Sequence, residues 1–231
     1  EWYQITEKKG WRIAWLGCTT ILCASCRHSL RAPEEEAQRQ VLFCTHVPNM
    51  VAELSARPDI DAVIVGAHWG AQFKDDPKEG VITLAKKILD SGAAAVIGNH
   101  PHVMQPAMHY KTKDGRNTYV TFSLGSLTSG LGSWSPNQHK LRVSAVALVQ
   151  LTRKARIDEN GNQKTWAEVA KVEYVPICEI WVDNNGTKVR EMRATEDVPK
   201  NGCQKEESWA YHLLGSEDFR RIKDLERIQD F

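Results

Sequence analysis

The sequence predicts an α/β fold, because two units of helix, buried strand and polar loop follow one another in its first half. Apolar residues at helical spacing over 47–57 precede the short apolar run 61–66, and a second helical pattern over 81–89 precedes the run 93–97. Such short runs are typical of strands that are buried on both faces of a parallel sheet. In folds of this kind, functional residues collect at the carboxyl ends of the strands.

Before and after these units the pattern predicts further strands. The run 158–162 is a strong turn signal, and Asn184-Asn185-Gly186 predicts a further hairpin turn. We expect a single domain over residues 1–231, in which 183–231 forms a hairpin and a helical tail. The remaining predicted elements are strands at 11–17, 117–122, 142–151, 166–175, 179–182 and 187–193, a turn at 158–162, and a charged amphipathic helix at 216–231.

The composition excludes some classes of function. The 231 residues are 42% hydrophobic and carry a net charge of +1. A net charge so close to zero produces no positive electrostatic potential over the whole protein that would attract nucleic acid, and we expect no nucleic-acid partner. No apolar run reaches the length of a membrane span. The sequence opens on Glu1 without a signal-peptide pattern, so we expect any targeting or anchoring segment to lie outside it.

The six cysteines allow more than one reading. An even number permits disulfides in an oxidising compartment, and spacing does not reveal which residues pair. Cys18, Cys23 and Cys26 also match the opening of a plant-type iron–sulfur site, with Cys44 as a fourth ligand. The glycine-rich loop expected around such a site is missing, which favours disulfides or buried thiols.

Three histidines follow the two predicted strands and are the strongest candidates for chemistry. His68 comes directly after the first strand, and His100 and His102 come after the second. Imidazole is a good ligand for zinc, iron, nickel and copper, and two histidines at i and i+2 can turn towards one centre. Pro101 between them restricts the backbone of His100. The alternative is that these side chains only cap strands or bond to the backbone.

Four blocks of the sequence carry a resemblance to a known family. They are His68-Trp69-Gly70, 84–92 with 96–98, His100-Pro101-His102-Val103 with Gln105-Pro106, and Thr121-Phe122-Ser123-Leu124-Gly125. They resemble, in the same order, motifs of the CapA/PgsA family of poly-γ-glutamate capsule biosynthesis proteins, among them its H-W-G, H-P-H-V, Q-P and Y-S-L-G-N-F. The resemblance is dense over about 11–125 and looser to about 182.

The resemblance implies a calcineurin-like metallophosphatase fold, a β-sandwich flanked by helices. It implies that His68, His100 and His102 are metal ligands and catalytic residues. The implied cofactors are divalent ions such as Mn²⁺, Zn²⁺ or Fe²⁺. Two such ions polarise a phosphoryl or acyl group and activate a bridging water.

Three further residues are candidates for substrate binding. Trp69 either stacks on substrate or packs its own loop. Asn99 lies in Gly98-Asn99-His100, which also resembles a phosphoesterase triplet in which the asparagine is a ligand, although the order of the other motifs disfavours that reading. Gln105 belongs to the Q-P block.

The chain departs from the family pattern in three ways. The family's early Gly-Asp, Asp-x-His and Asn-Asn-His-x-x-Asp motifs are missing, Gln72 stands where a glutamate is usual, and Ser126 replaces an asparagine. Three histidines without carboxylates suit a hard-metal dinuclear centre poorly. We therefore expect that the chain lacks about the first half of the family domain, and that this half or a partner chain supplies the missing ligands.

Two functions remain open. The first is a metal-dependent hydrolase acting on a phosphoester or a γ-glutamyl bond during poly-γ-glutamate synthesis or processing. The second is a non-catalytic accessory subunit that binds or exports polyglutamate, or another anionic polymer, within a membrane synthase.

The resemblance also implies a location at the cell surface or outside the cell, with membrane association through a segment absent from this sequence. Because Cys18, Cys23, Cys26 and Cys44 flank a loop near the chain start, that location predicts at least one disulfide among them.

Overall fold

The structure is a computed structural model, and it describes residues 1–21, 41–127, 138–157, 163–198 and 203–214. Its largest element is a six-stranded sheet, called sheet A, with the strand order β1-β2-β3-β4-β6-β5. The four inner strands are parallel, and the edge strands β1 and β5 run antiparallel to their neighbours. The strands are β1 Tyr3–Lys8, β2 Trp11–Thr19, β3 Ala62–His68, β4 Ala95–Asn99, β5 Met104–Lys111 and β6 Asn117–Leu124.

Two helices cover one face of sheet A. Helix α1 (Val47–Ser55) has a proline in its first turn, where the missing N–H costs nothing, and it precedes β3. Helix α2 (Glu79–Asp90) connects β3 to β4. Both helices turn their apolar stripes onto the strands, where Val51, Ile88 and Leu89 are fully buried with the inner residues of β2 and β3. The predicted order of helix, strand and loop is therefore confirmed.

A second sheet, called sheet B, packs on the other face of sheet A. It is a three-stranded meander of β7 (Val143–Ile157), β8 (Gln163–Asn184) and β9 (Thr187–Ala194). Residues of both sheets share one core cluster, and the hydroxyls of Tyr119 on β6 and Tyr174 on β8 hydrogen-bond across it. The predicted mixed α/β sandwich flanked by helices is confirmed.

Short elements complete the described part of the chain. Helix α3 (Gln138–Leu141) precedes β7, a 3₁₀ turn (Thr195–Asp197) follows β9, and helix α4 (Gln204–Leu214) packs on sheets A and B. No helix within the described ranges is both long enough and apolar enough to span a membrane.

The hairpin predicted at Asn184-Asn185-Gly186 is present between β8 and β9. Its two loop residues, Asn185 and Gly186, have φ angles of 53° and 84°, and two positive values in a two-residue loop are typical of a type I′ turn. Strand β7 is longer than predicted, and the two strands predicted at 166–175 and 179–182 form one continuous strand, β8. The predicted turn at 158–162 and the helix at 216–231 lie outside the described residues.

The cysteine pairing corrects one reading of the sequence and confirms another. Cys18 at the end of β2 is bonded to Cys44, so these two thiols are not available as ligands and the iron–sulfur reading is wrong. The predicted disulfide among the first four cysteines is confirmed, whereas Cys23 and Cys26 lie outside the described residues. A second disulfide, Cys178–Cys203, joins sheet B to the start of α4 and was not predicted.

We expect removal of either disulfide to destabilise the fold by a similar amount. The two bonds close loops of nearly equal length, with sequence separations of 26 and 25, and the chain-entropy model gives about 3–4 kcal/mol for such loops. Denaturant unfolding of Cys18→Ser/Cys44→Ser and of Cys178→Ser/Cys203→Ser would measure both losses. Six reactive thiols in the unreduced, denatured wild-type protein would contradict both bonds.

Candidate functional site

The three histidines lie at one edge of sheet A because two parallel neighbours end there. His68 is the last residue of β3, and its register partner on β4 is Asn99, the last residue of that strand. His100 follows at once. The ring centroids of His68 and His100 are 4.4 Å apart, and those of His100 and His102 are 6.2 Å apart. The structure thus brings all three predicted imidazoles together.

The backbone that carries two of these rings is strained. His100 has a φ of 103° and His102 a φ of 64°, values that side chains other than glycine rarely adopt. Such conformations cost of order 1–3 kcal/mol each and tend to cluster at functional sites. The sequence carried no signal for this strain, since a residue before proline is expected at negative φ and His100 precedes Pro101.

Trp69 is a correction to the predicted substrate-binding set. Its ring is fully buried, and its Nε1 donates a hydrogen bond of 2.9 Å to the carbonyl of Phe122 on β6. Of the two roles considered for this residue, only packing is compatible with that position, since no face of the indole is open to a substrate. Trp69 instead holds the start of the loop that follows His68.

Gln105 is a second correction. It is 1% exposed, and its Nε2 donates to the carbonyl of Lys74 at 2.8 Å, so the side chain ties β5 to the loop after β3. A buried amide with a backbone partner is not available to a substrate. Asn99 differs, because it is exposed beside the histidines while its carbonyl accepts the N–H of Trp69 at 3.1 Å. It stays a candidate.

Two residues at the site were not among the predicted ones. The Phe73 ring is stacked on the His102 ring, with 5.7 Å between centroids and 22° between planes. Ser126 Oγ lies 2.9 Å from His102 Nδ1. The sequence marked Ser126 only as a departure from the family block, and it held no signal for Phe73, which depends on how the loop 69–78 folds back.

The histidines fit one class of metal site and not another. Within the described ranges, no group of three or more His, Cys, Asp or Glu residues is arranged to hold a metal ion. Two of the three centroid separations, 4.4 Å and 6.2 Å, lie on either side of the separation of about 5 Å expected for imidazole rings that bind one tetrahedral ion with bonds of about 2 Å. Imidazole nitrogens are the ligand type that zinc-class ions take. The set does not suit a two-metal centre bridged by carboxylates.

We expect His100 and His102 to titrate below the ordinary value of 6.5. Burial lowers the pKa of both imidazoles, and the charges of neighbouring histidines lower each pKa further. The folded protein then binds these protons more weakly than the unfolded chain. Stability from these groups is therefore complete above about pH 6.5 and is lost as the pH falls through the folded pKa values.

An NMR titration of the imidazole protons in metal-free protein would measure the two pKa values directly. Unfolding free energies at several pH values between 5 and 7 would check the sign of the linkage. A pKa above 6.5 for either ring would contradict the expected effect of burial.

Comparison with known proteins identifies the family to which the sequence is similar. The family model for the bacterial capsule synthesis protein PGA_cap matches residues 2–130, which is more than half of the chain. The chain is similar to the PGA biosynthesis protein CapA of Bacillus subtilis (strain 168), with 34% identity over 83 residues, 36% of this chain and 20% of that protein. It is also similar to the capsule biosynthesis protein CapA of Bacillus anthracis, with 26% identity over 148 residues, 62% and 34% of the two chains.

Two solved structures show weaker likeness. One is a hypothetical protein from Thermus thermophilus, with a TM-score of 0.36, 17% identity, and coverage of 84% of this chain and 62% of that one. The other is Haemophilus influenzae NAD nucleotidase (NadN), with a TM-score of 0.42, 12% identity, and coverage of 99% and 36%. At these scores nothing is carried over from either protein.

The match of the family model covers both histidine-bearing loops as well as the strands that position them. The chain spans between a fifth and about a third of the length of the two curated relatives. Family membership follows from the family model alone, because that model matches more than half of this chain. The chain therefore belongs to the PGA_cap family of bacterial capsule synthesis proteins.

Proposed function

We propose that this chain takes part in the synthesis or processing of a poly-γ-glutamate capsule. We propose further that its histidine cluster is the metal-binding part of a hydrolytic site for a phosphoester or γ-glutamyl bond. The observation that carries the proposal is the convergence of His68, His100 and His102 at the carboxyl edge of sheet A, on backbone that is strained at two of the three positions. The names of the curated relatives support the pathway.

In this proposal the three imidazoles hold one ion of the zinc class, which when bound would polarise the scissile group and activate water. The chain's own residues do the rest. Asn99 is exposed beside the rings and can hydrogen-bond a substrate carbonyl or phosphoryl oxygen. Trp69 and Gln105 hold the flanking loop in place through backbone carbonyls.

The two disulfides favour an oxidising compartment, which supports a place at the cell surface or outside the cell. We propose that the partners are anionic: poly-γ-glutamate itself or a similar polymer, together with the subunits of a membrane synthase. The carboxylate ligands expected for the family would come from the other half of the domain or from a partner chain. For this reason we expect the chain alone to bind metal weakly.

A non-catalytic accessory role is the second candidate. The observation that favours it is the lack, within the described residues, of a completed group of three or more metal-ligating side chains. A subunit that only binds or exports polyglutamate needs no such group. The two candidates differ in what chelation does, because polymer binding alone does not depend on metal.

The test combines metal binding with hydrolysis. Calorimetry with Zn²⁺ and Mn²⁺ is compared for the wild type, His68→Ala and His109→Ala. His109 is a matched control, since it lies on β5 of the same sheet and its ring contacts Tyr119 at 5.4 Å. We expect His68→Ala to lose zinc binding and His109→Ala to retain it.

Hydrolysis of a γ-glutamyl oligomer and of a phosphate ester is then measured with and without EDTA. Activity that EDTA abolishes supports the enzyme. If the protein hydrolyses neither compound but still binds polymer in EDTA and in His68→Ala, the accessory role replaces the hydrolase proposal. Equal zinc binding by wild type and His68→Ala would exclude the histidine cluster as the metal site.

A further inference from the structure

We propose that Ser126 and Phe73 are positioning residues that clamp His102 in a single tautomer. In this arrangement Nδ1–H donates to Ser126 Oγ, and Nε2 keeps its lone pair for the histidine cluster. The inference deepens the proposed function and rests on it for its purpose. Its geometry stands independently, because His102 is held from two sides by residues that belong to different parts of the chain.

The Ser126 side of the clamp is built into the turn after β6. Ser126 is 8% exposed, and its hydroxyl lies 2.9 Å from His102 Nδ1. The preceding Gly125 has a φ of 84°, and a Cβ there would come within 2.5 Å of the Val143 carbonyl at the start of β7. Only glycine allows so close an approach, so the turn that presents the hydroxyl is pressed against sheet B.

The Phe73 side of the clamp is strained. The side chain is 51% exposed, the backbone φ is 61°, and the ring lies nearly parallel to that of His102. The Phe73 N–H donates to the carbonyl of Pro101 at 2.8 Å, which joins this loop to the turn that carries His102. An exposed aromatic residue gains little from burial, so its retention in a strained conformation needs another reason.

Two further contacts fix the loop that carries Phe73. Gln105 Nε2 donates to the carbonyl of Lys74, and Lys140 Nζ pairs with Asp75 at 2.5 Å. Lys140 is 17% exposed and also lies over the Trp209 ring at 4.0 Å, so its charge is held in place. The two residues after Phe73, Lys74 and Asp75, are therefore both held by contacts to other parts of the chain. These contacts, and not burial of the Phe73 side chain, set the position of its ring.

The chemistry explains why such a clamp is useful. A neutral imidazole has one nitrogen that donates and one that accepts, and a metal needs the accepting one. Histidines that bind metals commonly donate their other N–H to an oxygen, which fixes both tautomer and ring orientation. For His102 the oxygen within reach is Ser126 Oγ, a hydroxyl that can donate or accept. We assign Nδ1–H as the donor because only this tautomer leaves the lone pair of Nε2 for an ion.

The test is ¹⁵N NMR of the imidazoles in metal-free protein at pH 7.5, where His102 is neutral. Wild type should show the Nδ1–H tautomer for His102, Ser126→Ala should shift towards the Nε2–H form, and Ser126→Thr, which keeps the hydroxyl, should restore it. Ser91→Ala is the control, because that hydroxyl donates to the Lys87 carbonyl near the opposite end of β4. An Nε2–H tautomer in wild type, or an unchanged spectrum in Ser126→Ala, overturns the inference.

Phe73→Gly tests the other side of the clamp without adding strain, because glycine accepts a φ of 61°. We expect the ring-current shift of the His102 protons to be lost while the free energy of unfolding is kept. A zinc titration of Ser126→Ala should show an affinity about 10- to 100-fold below wild type, as for other residues that orient a ligand. Unchanged His102 shifts in Phe73→Gly would count against the clamp. If the wild type binds zinc measurably, an equal affinity in Ser126→Ala would also count against it.

Failure of the clamp and failure of the proposed function have different signatures. The tautomer and ring-current readouts use metal-free protein, so they decide the clamp even if the chain alone binds no zinc. The proposed metal site is tested instead by zinc binding to His68→Ala, a variant that leaves the contact between Ser126 and His102 in place. A tautomer fixed by Ser126 together with no zinc binding would keep the clamp as a structural feature and remove the metal from the proposal.

Discussion

Replacing His100 by glycine is expected to abolish zinc binding while leaving the fold as stable as the wild type. His100 is partly exposed at the end of β4, so its removal leaves no buried cavity. Its φ of 103° is unfavourable for histidine and ordinary for glycine. Relief of that strain offsets the greater flexibility of glycine in the unfolded chain, and we expect a net change within about 1 kcal/mol.

The loss of metal should be large by comparison. Removing a residue that only orients a ligand costs about 10- to 100-fold in metal affinity, so removing a ligand should cost at least that much. Denaturant unfolding and zinc calorimetry on the same preparations would measure both quantities. His100→Ala serves as a second variant, which removes the ring but keeps the strain.

The opposite pattern would identify His100 as a structural residue. A capping or core histidine leaves buried polar partners behind when it is removed, which costs about 1–3 kcal/mol. A clear loss of stability with unchanged zinc affinity would therefore end the ligand assignment, and most of the case for catalysis with it.

Much of sheet A could be predicted from the sequence because its order is local. Strands β3 and β4 each follow a helix with a clear apolar stripe, His68 ends β3, and His100 comes directly after β4. Parallel neighbours end at the same edge, so the proximity of His68 to His100 follows from topology rather than from any contact signal. The hairpin turn at Asn185-Gly186 could be predicted for the same reason, because the two loop residues alone determine the type of turn.

The edge strand β5 was not predicted, for a physical reason. Its sequence includes Pro106 and alternates poorly, and proline is tolerated in a strand only where the missing N–H has no ladder partner. Pro106 is absent from the register between β5 and β6, as expected at an edge. The strand exists because β6 offers it a partner, and that partner comes later in the chain.

The burial of Trp69 and Gln105 could not be predicted either. Both carry polar groups that usually seek water or a ligand, and both lie in motifs beside the histidines. Their partners are carbonyls of Phe122 and Lys74, which are distant in sequence or set by the loop path. A motif residue next to a site can therefore be part of its support, and only the tertiary structure separates the two roles.

Gly98 is the position where a single methyl group is expected to do the most damage. A Cβ at this residue would lie 2.2 Å from the carbonyl oxygen of Phe122 and 2.5 Å from Nε1 of Trp69. These two atoms form the hydrogen bond that holds the loop after His68. Added volume in a tight core costs about 1–3 kcal/mol, and a buried N–H left without its partner costs a similar amount.

We therefore expect Gly98→Ala to lower the free energy of unfolding by about 3–5 kcal/mol, near the upper end of single substitutions. Gly17→Ala is the matched control. Gly17 lies in β2 of the same sheet, a Cβ there would meet nothing within 4 Å, and its φ is not positive. At such a position alanine should be neutral or stabilise by up to about 1 kcal/mol.

The comparison also tests how the site is supported. Displacement of Trp69 moves the backbone next to His68, so Gly98→Ala should weaken zinc binding even in protein that is still folded at low temperature. Gly17→Ala should not. The opposite result would be a free energy of unfolding for Gly98→Ala within about 1 kcal/mol of the wild-type value. In that case β4 and β6 can move apart at little cost in free energy, and the Trp69–Phe122 hydrogen bond is not what fixes His68 at the edge of the sheet.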